Sequence, residues 1–211
     1  RRGEPAVHRR FAAAHDASGW HGDRERFGTA AAILLGDLCL VWSDEMLDGA
    51  GLPPAALDRA RPVFHRMRTE VTVGQYLDIH SQATGDTTVG RASKVARFKS
   101  AKYTVEQPLL MGAALAGAGA AVTAAYSSYG LPLGEAFQLR DDVLGVFGDP
   151  EATGKPAGDD LREGKRTYLV AAAFEAADEA ARRELAAGLG DPTLDAAGVD
   201  RLREIIVSTG A

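Results

Sequence analysis

Residues 55–81 read AALDRARPVFHRMRTEVTVGQYLDIHS and indicate the fold class of this 211-residue chain. Val63, Met67, Val71 and Leu77 recur at steps that place them on one face of a helix. We find no alternation of β-branched and polar residues of the kind that predicts strands. The stretch therefore predicts one long helix, and the chain is expected to be all-α.

The same helical spacing extends in both directions from this stretch. It predicts further helices over residues 27–47, 92–100, 106–127, 132–147, 165–189 and 194–207. The one long loop, residues 149–164, reads DPEATGKPAGDDLREG and is typical of either a solvated connection or a lid. No linker, repeat or change in composition divides the sequence, so we predict a single helical domain over residues 1–211.

Composition narrows the classes of function. The formal net charge is -5, from 24 Lys+Arg against 29 Asp+Glu, which argues against a general nucleic-acid binder. The lone cysteine, Cys39, is typical of a reducing cytoplasm. Residues 108–126 carry no charge but consist largely of Ala and Gly, which favours a buried core or subunit-contact helix over the alternative of a membrane span.

The chemistry is concentrated in residues 137–150, FQLRDDVLGVFGDP. Helical spacing places Gln138, Asp141, Asp142 and Gly145 on roughly one side. Adjacent carboxylates suit Mg²⁺, which takes one or two protein oxygens and completes its octahedron with water and substrate phosphates. An ordinary solvated helix turn or structural ion pairs are the alternative for paired aspartates alone.

Basic residues accompany this acidic pair near predicted helix ends and loops: Lys99, Lys155, Lys165 and Arg166. Lys and Arg neutralise phosphate oxygens directly, whereas carboxylates act through a metal, so the two clusters together predict a metal-bridged diphosphate site. The alternative is that the basic residues around Lys99 form an ordinary solvated helix face. Those residues are Lys94, Arg97, Lys99 and Lys102.

Five segments give the sequence a family resemblance. In order along the chain they are RRGEPAVH, GQYLDIH, KSAKYTVEQPL, FQLRDDVLGVFGDP and TGKPAGDDLREGKRT. In this order and approximate spacing they resemble the trans-isoprenyl diphosphate synthases, also called polyprenyl synthetases. The resemblance implies a bundle of antiparallel helices around a deep central cavity, usually in a homodimer.

The resemblance also implies which residues bind diphosphate. Arg1 and Arg2 resemble the arginine pair that contacts the allylic and isopentenyl diphosphates respectively. Lys99 is similar to the lysine that binds the allylic diphosphate. Lys155 and Lys165 resemble the two diphosphate lysines of the second aspartate-rich motif.

The reaction centre and the metal are implied in the same way. Ser100 and Gln138 resemble the residues whose oxygens stabilise the developing carbocation. Asp141 and Asp142 open the second aspartate-rich motif and are expected to hold Mg²⁺. Two further residues are expected to support the metal cluster from a neighbouring helix, and they are Gln75 and Asp78.

Two departures from the family pattern stand out. The last aspartate of the second motif falls on Gly145, and the sequence leaves open whether the displaced Asp149 replaces it. The first aspartate-rich motif is expected just before Arg1. The resemblance therefore predicts a chain that is incomplete at its N-terminus and at its C-terminus, and poorly active by itself.

The implied activity is a Mg²⁺-dependent, head-to-tail condensation of isopentenyl diphosphate with an allylic diphosphate, by a cytoplasmic prenyltransferase without a transmembrane segment. Two alternatives are a class I terpene cyclase and a noncatalytic partner subunit of a related synthase. The residues that set product length in the family precede the first motif, so farnesyl, geranylgeranyl and longer products all stay open.

Overall fold

The computed structural model describes residues 4–154 and 158–211, and every regular element in these two ranges is helical. The prediction of an all-α fold is confirmed. The elements in chain order are α1 (Val7–Ala17), α2 (Arg24–Asp48), α3 (Pro54–Thr84), α4 (Val89–Val95), a π-helix (Ala96–Glu106), α5 (Gln107–Ala116), α6 (Ala120–Phe147), α7 (Pro150–Thr153), α8 (Asp159–Arg162), α9 (Tyr168–Ala176), α10 (Glu179–Gly188) and α11 (Ala196–Thr209).

The chain forms two compact units, the first ending at Leu57 and the second running from Asp58 to Ala211. In the first unit α1 packs on α2, and a Cβ added at Gly28 would lie 3.1 Å from Ala12 Cβ. The Asp23 carboxylate caps α2 by accepting from Arg26 N at 2.7 Å. The sequence predicted α2 within a few residues but predicted no helix where α1 lies.

Helix boundaries in the second unit correct the predicted helix over residues 106–127. Gly117 has a φ of +69° and ends α5, because a left-handed residue cannot continue an α-helix. The Arg59 guanidinium caps this end by donating to the carbonyl oxygens of Ala114 and Leu115 at 2.8 and 2.9 Å. Helix α6 then begins at Ala120 and continues through Pro132, where the sequence predicted a helix start.

Residues 89–116 are helical throughout, so the break predicted between residues 100 and 106 is wrong. The middle of this stretch is the π-helix Ala96–Glu106. π-Helical geometry is rare in proteins and occurs frequently at functional sites. Here it carries the Lys-Ser pair singled out in the sequence.

The main core of the second unit joins the end of α6 to α8 and the last three helices. Asp178 begins α10 by accepting from Ala181 N at 2.8 Å, so the predicted helix over residues 165–189 is two helices. The core side chains are Val146, Leu161, Leu169, Val170, Ala173, Phe174, Ala177, Leu185, Leu189, Val199, Leu202, Ile205 and Ile206. In the described parts of the chain we find no helix with the length and apolarity that crossing a bilayer would require.

Candidate active site

The π-helix is held between two helices that approach its backbone through glycines. A Cβ added at Gly74 of α3 would lie 2.5 Å from the Phe98 carbonyl carbon and 2.7 Å from Lys99 Cα. A Cβ added at Gly134 of α6 would lie 2.6 Å from Ala101 O. These contacts involve backbone atoms, which have no rotamer to change, so both positions require glycine.

The same contacts fix the register of α6 against the π-helix. Gly130 faces Glu106, with a hypothetical Cβ 3.1 Å from Glu106 Cα, and Gly134 faces Ala101, so the two helices are antiparallel. The Arg97 Nε donates to Glu135 Oε1 at 2.6 Å, in agreement with this register. One further helical turn along α6 places Gln138 near residues 96–97, at the N-terminal end of the π-helix and just before Lys99.

Lys99 forms an ion pair with Asp78 across the Gly74 contact. The Lys99 Nζ donates to Asp78 Oδ2 at 2.5 Å, and the two side chains are 33% and 13% exposed. The structure thus joins two residues that the sequence had predicted in separate roles. Ser100 follows on the π-helix and is half-buried, whereas Gln75 is exposed on α3.

The predicted metal motif divides into an inward and an outward carboxylate. Asp142 is 4% exposed and accepts a 2.7 Å hydrogen bond from Gln138 Nε2, while Asp141 is exposed. Burial raises the pKa of Asp142 to about 6, although hydrogen bonds from Gln138 and from the Tyr168 backbone N–H oppose the shift. The neighbouring charges of Asp160 and Asp141 add to the rise.

A buried polar network supports the π-helix behind Lys99. The Lys102 Nζ donates to Glu70 Oε1 at 2.6 Å, and the Gln107 amide donates to the other oxygen of Glu70 at 2.9 Å. Glu106, 5% exposed, lies 3.9 Å from the same ammonium and accepts from Ser127 Oγ at 2.5 Å. Lys102 is therefore bound into the fold and does not belong to a solvated helix face.

Lys165 is also held by carboxylates. Its ammonium contacts Asp160, which is 4% exposed, and Glu163 Oε2 at 2.8 Å. Partial burial opposes the charge of Lys165, but the hydrogen bonds to these two carboxylates outweigh that effect and raise its pKa. Burial lowers the pKa of the adjacent Arg166. The three other predicted diphosphate ligands, Arg1, Arg2 and Lys155, lie outside the described residues.

The carboxylates of the second aspartate-rich motif suit a hard cation that takes most of its ligands from water and substrate. Among residues 4–154 and 158–211, no three His, Cys, Asp or Glu side chains cluster closely enough to hold a metal ion by themselves. Asp141 offers an accessible carboxylate beside the buried Asp142. Mg²⁺ usually takes one or two carboxylates and completes its octahedron with water and phosphate oxygens, so this motif fits it.

Sequence reasoning missed several residues that define the site. The glycine contacts with the π-helix join residues 24 or more positions apart, and they carry no local signal beyond a glycine within a helical pattern. Asp160 belongs to the pair Asp159-Asp160, which resembles a solvated loop until the fold buries its second member. Asp149, the displaced carboxylate noted in the sequence, caps α7 by accepting from Glu151 N at 2.9 Å.

Comparison with known proteins identifies the family of this chain. The polyprenyl synthetase family model matches residues 1–206. The chain is 35% identical over 188 residues to geranylfarnesyl diphosphate synthase of Aeropyrum pernix, covering 88% of this chain and 58% of that protein. It is 33% identical over 184 residues to geranylgeranyl diphosphate synthase of Mycobacterium tuberculosis, covering 87% and 52%.

Solved structures give the same result. The crystal structure of geranylgeranyl pyrophosphate synthase from Corynebacterium glutamicum, complexed with isoprenyl diphosphate and magnesium, matches with a TM-score of 0.92 and 47% identity. That match covers 100% of this chain and 59% of the other. The chain therefore spans less than two thirds of each of these three relatives. With a family model matched over nearly its whole length, the chain belongs to the polyprenyl synthetase family.

Proposed function

We propose that the protein is a prenyltransferase that condenses isopentenyl diphosphate head-to-tail with an allylic diphosphate in a Mg²⁺-dependent reaction. The observation that carries this proposal is the register of α6 on the π-helix, which brings the Gln138–Asp142 pair to the N-terminal end of the π-helix, where Lys99 pairs with Asp78. A cationic donor, a carboxylate motif and an amide oxygen then share one end of the helix pair. This combination suits a diphosphate leaving group.

Lys99 is the residue that we assign to the departing diphosphate. Its side chain is one third exposed, so the ammonium can exchange contact with Asp78 for contact with phosphate oxygens. Asp78 keeps the ammonium at the same end of the π-helix as Gln138 before substrate binds. Such a pre-positioned charge loses little entropy when the leaving group develops its negative charge.

The reaction requires no protein nucleophile. The allylic C1–O bond breaks and its electron pair leaves on the diphosphate; isopentenyl C4 forms the new bond to C1, and the released diphosphate takes the C2 proton. We assign the Ser100 hydroxyl oxygen and the Gln138 amide oxygen to the stabilisation of the allylic cation. The bond from Gln138 Nε2 to Asp142 leaves the amide oxygen free for this role.

We assign Mg²⁺ to Asp141 and Asp142, with Gln75 and Asp78 supporting the cluster. When bound, the metal supplies electrostatic stabilisation of the leaving diphosphate. Lys165 is assigned to the diphosphate bound at this cluster. The family resemblance supports the same assignment for Arg1, Arg2 and Lys155.

The direct test is incubation of the full-length gene product with isopentenyl diphosphate, Mg²⁺ and allylic diphosphates of increasing length, followed by chromatography of the dephosphorylated products. We expect products extended by five-carbon units. Hydrocarbons formed from the allylic diphosphate alone would instead identify a terpene cyclase. No consumption of any allylic diphosphate would favour a noncatalytic subunit and contradict the proposal.

Variants connect the activity to the site. Lys99→Ala is expected to lower turnover about 30- to 1000-fold, equivalent to about 2–4 kcal/mol of lost transition-state stabilisation. Lys94→Ala is the matched control, because Lys94 is an exposed lysine five positions earlier, on α4. Equal turnover in the two variants would contradict the assignment of Lys99.

We also propose that the protein acts as a cytoplasmic homodimer. The single cysteine and the family resemblance support this, and α2 exposes a run of large apolar side chains that favours a protein interface. These side chains are Ile33, Leu34, Leu38, Leu40, Val41, Trp42 and Met46. Light scattering should give twice the chain mass, and Leu34→Glu should give a monomer. A monomeric unmodified protein would contradict the proposal.

A further inference from the structure

The second aspartate-rich motif lacks its last carboxylate, and the structure shows another one beside that position. Gly145 is buried in α6, one turn after Asp142. A Cβ added there would lie 2.5 Å from Asp160 Cγ and closer still to Asp160 Oδ2. The carboxylate of Asp160 therefore occupies the space that any side chain at position 145 would need.

The hydrophobic core fixes the segment around Gly145 against the segment around Asp160. Val146 follows Gly145 and Leu161 follows Asp160, and both are fully buried in the same cluster of side chains. Neither residue can move far without opening a destabilising cavity in this cluster. The position of Asp160 over Gly145 is thus set by its neighbours in the core.

The buried carboxylate of Asp160 has a specific partner. Its side chain contacts the Lys165 ammonium, and its carbonyl oxygen accepts from Lys165 N at 3.0 Å. Asp160 therefore fixes both the backbone and the side-chain ammonium of Lys165. An unpaired buried carboxylate would destabilise the fold, so this ion pair holds Asp160 and Lys165 in place together.

We propose that Asp160 is the positioning residue of the second motif, standing over Gly145 and holding Lys165 at the Asp142 end of the site. The proposal rests on the proposed function, because it assigns Asp160 to the diphosphate reaction through Lys165. It also bears on the question left open by the sequence, since Asp149 caps α7.

The first test measures Lys165 itself, without substrate. Asp160→Asn keeps the side-chain volume but removes the charge, and Asp159→Asn is the matched control from the same turn of α8. Brief acylation with a small amine-reactive ester, followed by peptide mass spectrometry, reports the reactivity of each lysine. We expect Lys165 to react about tenfold faster in Asp160→Asn, because an ammonium held by carboxylates seldom presents a free amine. The rate at Lys94 should not change.

Steady-state kinetics tests the role in the reaction. A misplaced Lys165 should lower kcat of Asp160→Asn by about tenfold or more, while KM for isopentenyl diphosphate changes by less than about threefold. Asp159→Asn should leave both constants within about twofold of the unmodified protein. A purely structural residue would lower stability without this selective change at Lys165.

A double-mutant cycle tests whether the Asp160 carboxylate and a side chain at position 145 compete for the same space. Gly145→Ala should displace the Asp160 carboxylate and raise Lys165 acylation as Asp160→Asn does. In an Asp160→Ser background the space is free, so adding Gly145→Ala should change the acylation rate by less than about twofold. This variant pair keeps the test informative if Asp160→Asn does not fold.

Three results would overturn the proposal: unchanged Lys165 acylation in Asp160→Asn, an equal rise in Asp159→Asn, or an unchanged kcat in Asp160→Asn. The acylation arm needs no substrate, so it separates a failure of this pairing from a failure of the proposed function. A protein without prenyltransferase activity would still show whether Asp160 holds Lys165.

Discussion

Gly74→Ala tests how closely α3 must approach the π-helix. The new methyl group would lie 2.5 Å from the Phe98 carbonyl carbon, about 0.9 Å inside the 3.4 Å at which ordinary contact begins. The obstructing atoms are backbone, so the π-helix must move away from α3 to accommodate the methyl group. Lys99 is the residue that moves with it.

The size of the effect follows from this overlap. Overpacking costs about 1–3 kcal/mol, and a backbone obstacle places Gly74→Ala towards the upper end. Replacing a glycine inside a helix also gains about 1 kcal/mol of helix propensity, which partly conceals the cost. Gly112→Ala in α5 gains the same propensity without obstruction, because nothing lies within 4 Å of its new Cβ. The difference in the free energy of unfolding between the two variants therefore isolates the cost of overpacking.

Two measurements are needed. Urea unfolding followed by helical circular dichroism should show Gly74→Ala less stable than Gly112→Ala by about 1–3 kcal/mol. Displacement of Lys99 by nearly 1 Å should lower turnover by up to about 100-fold, whereas Gly112→Ala should keep it. Equal stability and turnover in the two variants would refute the idea that the Gly74 contact positions Lys99.

Three further side chains can each be tested by measuring stability or turnover in one variant. Lys102→Met leaves the carboxylates of Glu70 and Glu106 without their shared cation, so urea unfolding should show a loss of about 3 kcal/mol; an unchanged midpoint would contradict the network. Burial raises the pKa of Asp142 from 3.8 to about 6 in the folded protein, so the fold holds its proton more tightly than the unfolded chain does. In metal-free buffer the free energy of unfolding should therefore fall by about 2 kcal/mol as pH rises from 4 to 7, and Asp142→Asn should remove that slope in pH-dependent urea titrations. Asp149→Ala should remove a helix cap worth about 1 kcal/mol and change turnover by less than threefold in the prenyl-transfer assay.

The sequence alone determined the helical fold class and the residues that carry the chemistry. Helical periodicity is local, so Val63 to Leu77 indicate their helix without knowledge of any partner. Spacing along one helix also predicted that Gln138 and Asp142 share a face, and the structure joins them by a hydrogen bond. The family resemblance added the assignment of Lys99, Lys165 and the aspartate pair to a diphosphate site.

Tertiary structure decided what each of these residues contacts. The pairing of Lys99 with Asp78 depends on the close approach at Gly74, and Asp160 reaches the space over Gly145 only after the core has packed α8 against α6. Such contacts join residues distant in sequence, and their energies depend on atomic separations that no local pattern contains. A glycine in a helix has the same sequence signature whether it faces solvent, as Gly112 does, or a neighbouring backbone, as Gly74 does. Packing alone distinguishes them, because an added methyl group has room at the first position and none at the second.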